Sequence, residues 1–228
     1  MINKHNSTDY YWKIYNTEKE KLTKKIINFN NRLKINYLEK EHFNHTRDLF
    51  ALSLAYIKTP HKKINILDYG SNLLTLCNLN NKIDLKKFNF TIFDPFYKKK
   101  KIKIKIQNLN YQILSDEKKI IENKYHLLHF ASSIQYQENF LEKLKKWDLG
   151  RSKIILFTHT PLSLDEPYSS TQSNHSNLIQ YVHSVKKIIF ILKKKKFSLV
   201  FKSRNNDKYI ACKKRKSKTY SLNLIFKK

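Results

Sequence analysis

The sequence contains almost no glycine. Only two of its 228 residues are glycine, whereas an average usage of roughly 7% would give about sixteen. One of the two, Gly70, stands in the stretch KINILDYGSNLLTLC, between an apolar run and a helix-like segment. Cysteine is as rare, and Cys77 and Cys212 form no metal or redox spacing. So few cysteines argue against a secreted domain framed by disulfides.

Long apolar runs are also missing. No uninterrupted apolar segment approaches the roughly 18 residues that a membrane span needs. The segment MINKHNSTDYYWK lacks the apolar centre of a signal peptide. The sequence therefore predicts a soluble, cytoplasmic protein without a transmembrane segment.

Arginine is scarce although the chain is strongly basic. Lys and Arg together number 46 against 18 Asp and Glu, which gives a formal net charge of +28. An excess of this size is typical of proteins that bind nucleic acid. Only five of the basic residues are arginine, however, and proteins that read bases depend on bidentate arginine. Together with the many Ile and Asn residues, the lysines fit the codon bias of an AT-rich genome, so nucleic acid is not the favoured partner.

The short apolar runs predict the fold. The strand-like runs are INILD, FNFTIFD, YQILSD, YHLLHFASS and KIILFTHT, and helix-like segments separate most of them. Buried parallel strands are continuously apolar, as these runs are. The pattern predicts an α/β, Rossmann-like, doubly wound and mostly parallel sheet. FSLVFK and KYIACK, joined by a short polar turn, predict an antiparallel C-terminal hairpin, preceded by a helix over about residues 177–195.

The first 60 residues and the rest of the chain differ in sequence pattern. The first 60 residues are helix-like, and the segment HTRDLFALSLAYIKTP has an apolar face that ends at Pro60. We therefore expect an N-terminal helical extension or cap at residues 1–60 and a Rossmann-like domain at residues 61–228.

Gly70 lies where a ligand would approach the predicted sheet. Open α/β sheets bind ligands beyond the carboxyl ends of their strands, where glycine lets the backbone come close. Asp68 ends the first strand, and Asp94 ends the second. A carboxylate at the second position can accept hydrogen bonds from both hydroxyls of a ribose. The arrangement indicates a cofactor that contains a nucleoside, although Gly70 as a plain turn residue and Asp94 as a helix cap would also explain it.

Four segments resemble the motifs of class I S-adenosylmethionine-dependent methyltransferases. They are ILDYGSNLL, FTIFD, YHLLHFASSIQY and IILFTHTPLSLDEPYSSTQ. The chain is specifically similar to a methyltransferase family associated with surface-polysaccharide gene clusters, and ASSIQY and the pairing of TP with TQ carry most of that similarity. The resemblance covers about three quarters of the chain and implies S-adenosylmethionine as the cofactor.

The resemblance also implies a role for each matching residue. It places Asp68 near the methionine amine, Asp94 on the ribose and Asp116 on the adenine amine. The other cofactor-binding residues that it implies are Gly70, Ser71, Ala131 and Ser132. The acceptor-binding residues that it implies are Ser133, Gln135, Tyr136, Thr171 and Gln172.

The expected reaction is O-methylation of a small molecule or a glycan precursor. A hydroxyl acceptor needs a proton acceptor, and His159 at the end of the fifth strand is the candidate base, since histidine titrates near neutral pH. A surface or capping histidine would fit the same position. No metal site is expected.

Two alternatives remain open at the level of sequence. One is a catalytically inactive methyltransferase-like domain that acts in a complex, because Ser71 and Leu74 stand where the family has glycine. The other, supported by charge alone, is an RNA-binding protein or an RNA methyltransferase.

Overall fold

The computed structural model describes residues 45–57, 63–70, 76, 79, 84–94, 109–172, 175–205, 216 and 218–228. Ser71, Leu74, the segment KYIACK and residues 1–44 of the expected extension lie outside the described residues.

Strands and short helices alternate along the described chain. The helices are α1 (His45–Ala55), α2 (Glu117–Glu122), α3 (Phe140–Lys146) and α4 (Val185–Lys194), with a 3-10 turn at Ile134–Tyr136. The strands are β1 (Ile64–Tyr69), β2 (Phe88–Phe93), β3 (Asn110–Leu114), β4 (Leu127–Ala131), β5 (Ile154–Ser163), β6 (Tyr168–Gln172), β7 (His175–Ser184), β8 (Ser198–Arg204) and β9 (Thr219–Lys227).

The main sheet has the strand order β3–β2–β1–β4–β5–β9–β8. The first five strands are parallel to one another, and β9 runs antiparallel to both of its neighbours. The hairpin formed by β6 and β7 joins the end of β5 through the pairs Leu162–His183 and Ser163–Ser184. The predicted Rossmann-like, mostly parallel sheet with antiparallel C-terminal strands is confirmed.

Helix α1 packs on one face of this sheet. Phe50 and Leu54 lie one turn apart on the helix and are fully buried. The Phe50 ring lies 4.2 Å from the ring of His129 on β4 and 6.4 Å from that of Phe90 on β2, measured between centroids. Burial of each such side chain contributes roughly 1.5–3 kcal/mol to the stability of the fold.

Helices α3 and α4 cover the opposite face. Ile188 and Leu192, one turn apart on α4, are fully buried, and Phe140 of α3 packs edge-on against Phe157 of β5. Phe157 stacks on Phe130 of β4 with ring centroids 5.0 Å apart. Both faces of the central strands are therefore apolar, as a doubly wound sheet requires.

One expectation about the C-terminal third was wrong. The predicted helix over residues 177–195 begins only at Val185, because the chain before it pairs with β6 as strand β7. Strand β8 pairs antiparallel with β9 at Thr219–Lys227, a strand that was not predicted, whereas the expected pairing of FSLVFK with KYIACK falls on residues outside the described ones.

Candidate functional site

The carboxyl ends of β1, β2, β4 and β5 meet at one edge of the sheet. The register pairs Asp68 of β1 with His129 of β4, and Ala131 of β4 with Thr158 of β5. Asp94 follows directly after β2, and its backbone N–H donates to Leu114 O. The residues predicted at the strand ends therefore lie along the edge where open α/β sheets bind ligands.

Gly70 has a backbone conformation that only glycine adopts easily. Its φ is +71°, and its N–H donates to Phe93 O on β2 at 2.7 Å. A Cβ atom added to Gly70 would lie 2.2 Å from Ser133 Cβ, which follows β4. The Ser133 hydroxyl donates to Tyr69 O at 2.9 Å and so fixes this close approach. The contact with Ser133 by itself requires glycine at this position, and the expected role of Gly70 beside a cofactor stays a prediction.

Three buried polar side chains form a chain of hydrogen bonds across three strands. Asp68 Oδ1 lies 2.8 Å from His129 Nδ1, and His129 Nε2 lies 2.8 Å from Thr158 Oγ1. All three side chains are fully buried. With its proton on Nδ1, the imidazole donates to Asp68 and accepts from the Thr158 hydroxyl, so both ring nitrogens are satisfied.

The second carboxylate oxygen of Asp68 lacks a hydrogen-bond donor in the part of the chain that the structure describes. Among the described residues, Asp68 Oδ2 is buried and has no hydrogen-bond partner. A buried carboxylate oxygen without a donor costs free energy, and a cationic or N–H donor placed beside it would remove that cost. Asp94, at the end of the neighbouring strand, is also fully buried. The pair fits a ligand that presents an ammonium group and hydroxyls, as S-adenosylmethionine does.

The segment after β4 is braced by its own side chains. Ser132 has a φ of +48°. Gln135 Nε2 donates to Ser132 O at 2.7 Å and to Ser132 Oγ at 2.9 Å. Gln135 Oε1 is buried without a partner among the described residues, so it is the acceptor that this side chain still offers. Tyr136 ends the 3-10 turn and is half-buried.

His183 of β7 holds that turn in place. Its Nε2 donates to Gln137 O at 3.0 Å and to Ile134 O at 3.2 Å. Burial lowers the pKa of His183, although the two backbone carbonyls oppose this shift. The sequence had not singled out His183 or His129, since only pairing between distant segments brings them to this edge.

His159 lies at an irregular position of β5. Its φ is +52°, and the pairing of β5 with β9 shifts register between Phe157 and Thr160. Its N–H donates to Asn223 Oδ1 at 2.9 Å, and its Nδ1 lies 2.7 Å from Ser221 Oγ. The imidazole is half-buried and is oriented by strand β9.

The remaining predicted residues lie at the ends of other elements. Asp116 caps α2, where its side chain accepts from Lys118 N at 3.0 Å, and it is exposed. Thr171 and Gln172 are half-buried at the end of β6, in the hairpin that follows β5. Their roles toward a cofactor or an acceptor stay predictions.

A second polar cluster lies on the other face of β1. The Tyr69 hydroxyl donates to Glu117 Oε1 at 2.6 Å and accepts from Gln137 Nε2. Lys143 Nζ lies 2.6 Å from Glu117 Oε2 and neutralises that carboxylate. Burial, reinforced by the charge of Glu117, raises the pKa of Tyr69 well above its ordinary value. Tyr69 is therefore a neutral hydrogen-bond donor that ties β1 to α2 and α3.

Within the described ranges, no group of three His, Cys, Asp or Glu side chains is placed to hold a metal ion. No helix in these same ranges is long and apolar enough to cross a membrane.

Comparison with known proteins shows the fold. No protein-family model and no curated protein matches the chain. Among solved structures it is similar to the [4+2]-cyclase SpnF, with a TM-score of 0.50 and 7% identity over 79% of this chain and 80% of that one. It is also similar to magnesium protoporphyrin IX methyltransferase (ChlM) from Synechocystis PCC 6803 with bound S-adenosylhomocysteine (TM-score 0.49, 9% identity, 83% and 90% covered). A third similar structure is the 16S rRNA methylase ArmA (TM-score 0.46, 15% identity, 92% and 97% covered). At 7% identity, what the chain shares with SpnF is the fold alone.

Proposed function

We propose that the chain is an S-adenosylmethionine-dependent methyltransferase that O-methylates a small molecule or a glycan precursor. The observation that supports this most is the pair of buried carboxylates, Asp68 and Asp94, at the ends of adjacent parallel strands. One of them has an oxygen that no described residue satisfies.

Each carboxylate has a distinct task in the proposed site. Asp68 Oδ2 accepts from the methionine ammonium, while His129 holds the other oxygen and fixes the orientation of the group. Asp94 accepts from the ribose hydroxyls. When bound, S-adenosylmethionine supplies a methyl group that is already activated, so the protein contributes mainly alignment, which is worth several kcal/mol.

His159 is the proposed base for the acceptor hydroxyl. If its Nδ1–H donates to Ser221 Oγ, the basic lone pair is on Nε2, which takes the proton as the new bond to oxygen forms. Loss of a general base typically reduces a rate by about 10²–10⁴-fold. His159→Ala should therefore lower turnover by this factor and leave the affinity for S-adenosylhomocysteine unchanged. Full turnover in this variant would remove His159 from the mechanism.

A titration with S-adenosylhomocysteine, followed by calorimetry, tests the cofactor site. We expect saturable binding by the unmodified chain. The dissociation constant of Asp68→Asn should be higher by roughly tenfold or more, since the ammonium loses a charged acceptor. Asp84→Asn is the matched control, because Asp84 is an exposed carboxylate that precedes β2 at the other end of the strands. Absence of binding by the unmodified chain would contradict the proposal.

A second candidate is a domain of this fold that transfers no methyl group. The contact with Ser133 explains Gly70 without any cofactor. The similarity to a structure described as a cyclase also illustrates that this fold does not fix the reaction. In the test, the chain is incubated with S-adenosylmethionine and a panel of hydroxylated acceptors. Binding of S-adenosylhomocysteine in the titration, together with no transfer of a methyl group to any acceptor, would favour this candidate.

A further inference from the structure

One face of the sheet is polar where its first three strands begin. Asn65 of β1 is paired with Asn89 of β2, and Asn89 is paired with Asn110 of β3. Because side chains alternate along a strand, residues in register across neighbouring strands share one face. The three asparagines therefore form a row of side-chain amides across the sheet.

The next row on this face is polar on β2 and β3 and apolar at Leu67 of β1. Two residues further along each strand, Thr91 of β2 is in register with Gln112 of β3. The row after that, formed by Tyr69, Phe93 and Leu114, is apolar and belongs to the core. A sheet covered on both faces is expected to be apolar throughout. The polar rows thus mark a part of the sheet that the core does not use.

A cavity of about 350 Å³ lies over these rows. We call it the amide pocket; its polar lining includes Asn65, Asn89, Thr91, Asn110, Gln112 and Lys124, and its wall also includes Phe90, Tyr111 and Tyr125. It is at the amino ends of β1–β3, and the proposed cofactor site is at their carboxyl ends. Its volume lies at the lower end of the range found for small-molecule sites, roughly 300–1,000 Å³.

The amides of the pocket keep hydrogen-bonding groups for a ligand. Asn89 Nδ2 donates to Asn65 Oδ1 at 3.1 Å, and Gln112 Nε2 donates to Thr91 Oγ1 at 2.9 Å. Each donating amide has a second N–H and a carbonyl oxygen beyond these bonds. These bonds orient Asn65, Asn89 and Gln112, which lowers the side-chain entropy that binding would cost.

The charge of the lining residues limits the class of ligand that the amide pocket can bind. Among the described residues, the lining includes no carboxylate, and Lys124, the one cation among them, is exposed. Tyr125 forms part of the wall, and burial raises its pKa, which keeps its hydroxyl neutral. A surface of neutral groups that both donate and accept is complementary to hydroxyl groups, which do the same.

We propose that the amide pocket binds a neutral, polyhydroxylated molecule of about monosaccharide size. This site goes beyond the proposed methyl transfer and does not depend on it, because the two sites lie at opposite ends of the strands. A molecule held in the amide pocket is not the one that is methylated.

Side-chain amide resonances in NMR spectra provide a direct test. The probes are D-glucose, D-galactose and N-acetyl-D-glucosamine, each added to the full chain labelled with ¹⁵N. We expect at least one probe to shift the Asn and Gln side-chain signals in a saturable way. The variants Asn89→Leu and Gln112→Leu should each weaken that binding by roughly tenfold, since each removes hydrogen bonds to the ligand.

Asn139→Leu is the matched control. Asn139 is exposed, makes no capping hydrogen bond with its side chain, and lies outside the pocket. This variant should bind the sugar as the unmodified chain does. All three variants should keep the unfolding temperature and the affinity for S-adenosylhomocysteine, which separates a failure of this site from a failure of the proposed function.

Three results would overturn the inference. The first is the absence of saturable binding for every sugar probe. The second is binding that both pocket variants leave unchanged. The third is binding of inorganic phosphate or AMP in place of the sugars, which would indicate an anion site at Lys124.

Discussion

At the scale of single residues, Gly70 and Ser133 fit together as one contact between two loops. The left-handed backbone of Gly70 and the absence of a Cβ atom are both needed, because Ser133 Cβ occupies the adjoining space. These two requirements are separable by mutation.

Gly70→Ala should lower the free energy of unfolding by about 2–5 kcal/mol. The left-handed conformation costs roughly 1–2 kcal/mol for a residue with a Cβ, and overpacking typically adds 1–3 kcal/mol. Adding Ser133→Gly should remove the overpacking and leave the backbone cost. Urea unfolding of both variants measures the two contributions.

Gly150→Ala is the control for this experiment. A Cβ there would lie 3.0 Å from an oxygen of the exposed Asp148 side chain, which can move. We expect a change below about 1 kcal/mol. If Gly70→Ala and Gly150→Ala lower the free energy of unfolding equally, crowding of the new Cβ against Ser133 contributes nothing to the loss.

The stability of the fold also depends on His129, which is hydrogen-bonded to Asp68. His129→Ala removes the partner of a fully buried carboxylate. Breaking a buried pair in this way typically costs 3–5 kcal/mol. The measurement is urea unfolding of His129→Ala, Asp68→Asn and the double variant.

The double variant should be much less destabilised than the sum of the single variants, because it leaves no unpaired charge. Thr158→Val replaces the hydroxyl with a methyl group of similar volume. It should therefore lower the free energy of unfolding by less than His129→Ala does. Additive losses would contradict the assignment of Asp68 and His129 as one unit.

At the scale of elements, the turn after β4 depends on His183. Its pKa in the folded protein is lowered from the ordinary value of 6.5. As the pH falls below about 6.5, the unfolded chain takes up a proton at this group before the folded chain does. The contribution of His183 to stability is therefore complete above that pH and is lost as the pH falls toward the folded pKa.

His183→Gln should remove this part of the pH dependence. An amide N–H can still donate to the carbonyl of Ile134 or Gln137, so the turn keeps a hydrogen bond. Unfolding temperatures of the two proteins between pH 5 and pH 8 should converge at the acidic end. A parallel pair of curves would show that His183 does not titrate in this range.

Whether a helix or strand can be predicted depends on how much of its pattern lies within its own sequence. Strands β1, β2, β4 and β5 are short apolar runs, and their pattern alone places Asp68 and Asp94 at one edge of the sheet. Strand β9 carries Ser221 and Asn223, which are almost completely buried. These two are satisfied by residues far away in the chain, among them His159 and Asn205. The alternation of apolar and polar residues from Tyr220 to Leu224 is nevertheless a local strand signal, although β9 was not predicted. The surroundings of His159 form only when distant segments pair, so no local pattern could have identified them.

At the scale of the whole molecule, the net charge of +28 opposes the compact state. Added salt screens this repulsion, with a Debye length of about 10 Å at 0.1 M. We expect the unfolding temperature to rise with NaCl concentration, by about 2–4 °C for each kcal/mol of repulsion removed. An uncharged osmolyte at matched osmolarity is the control for effects other than screening. A flat response would mean that the lysines are too widely spaced to repel one another.

The position of β9 also has a consequence for the path of folding. Strand β9 comes after β8 in the chain, but it lies between β5 and β8 in the sheet. Among the described strands, β8 therefore joins the sheet only through β9, either after β9 has paired with β5 or together with it as a hairpin. The pairing of β5 with β9 is non-local, and non-local contacts form more slowly than local ones. The polar surroundings of His159, which β9 supplies, are thus assembled only when this non-local pairing forms.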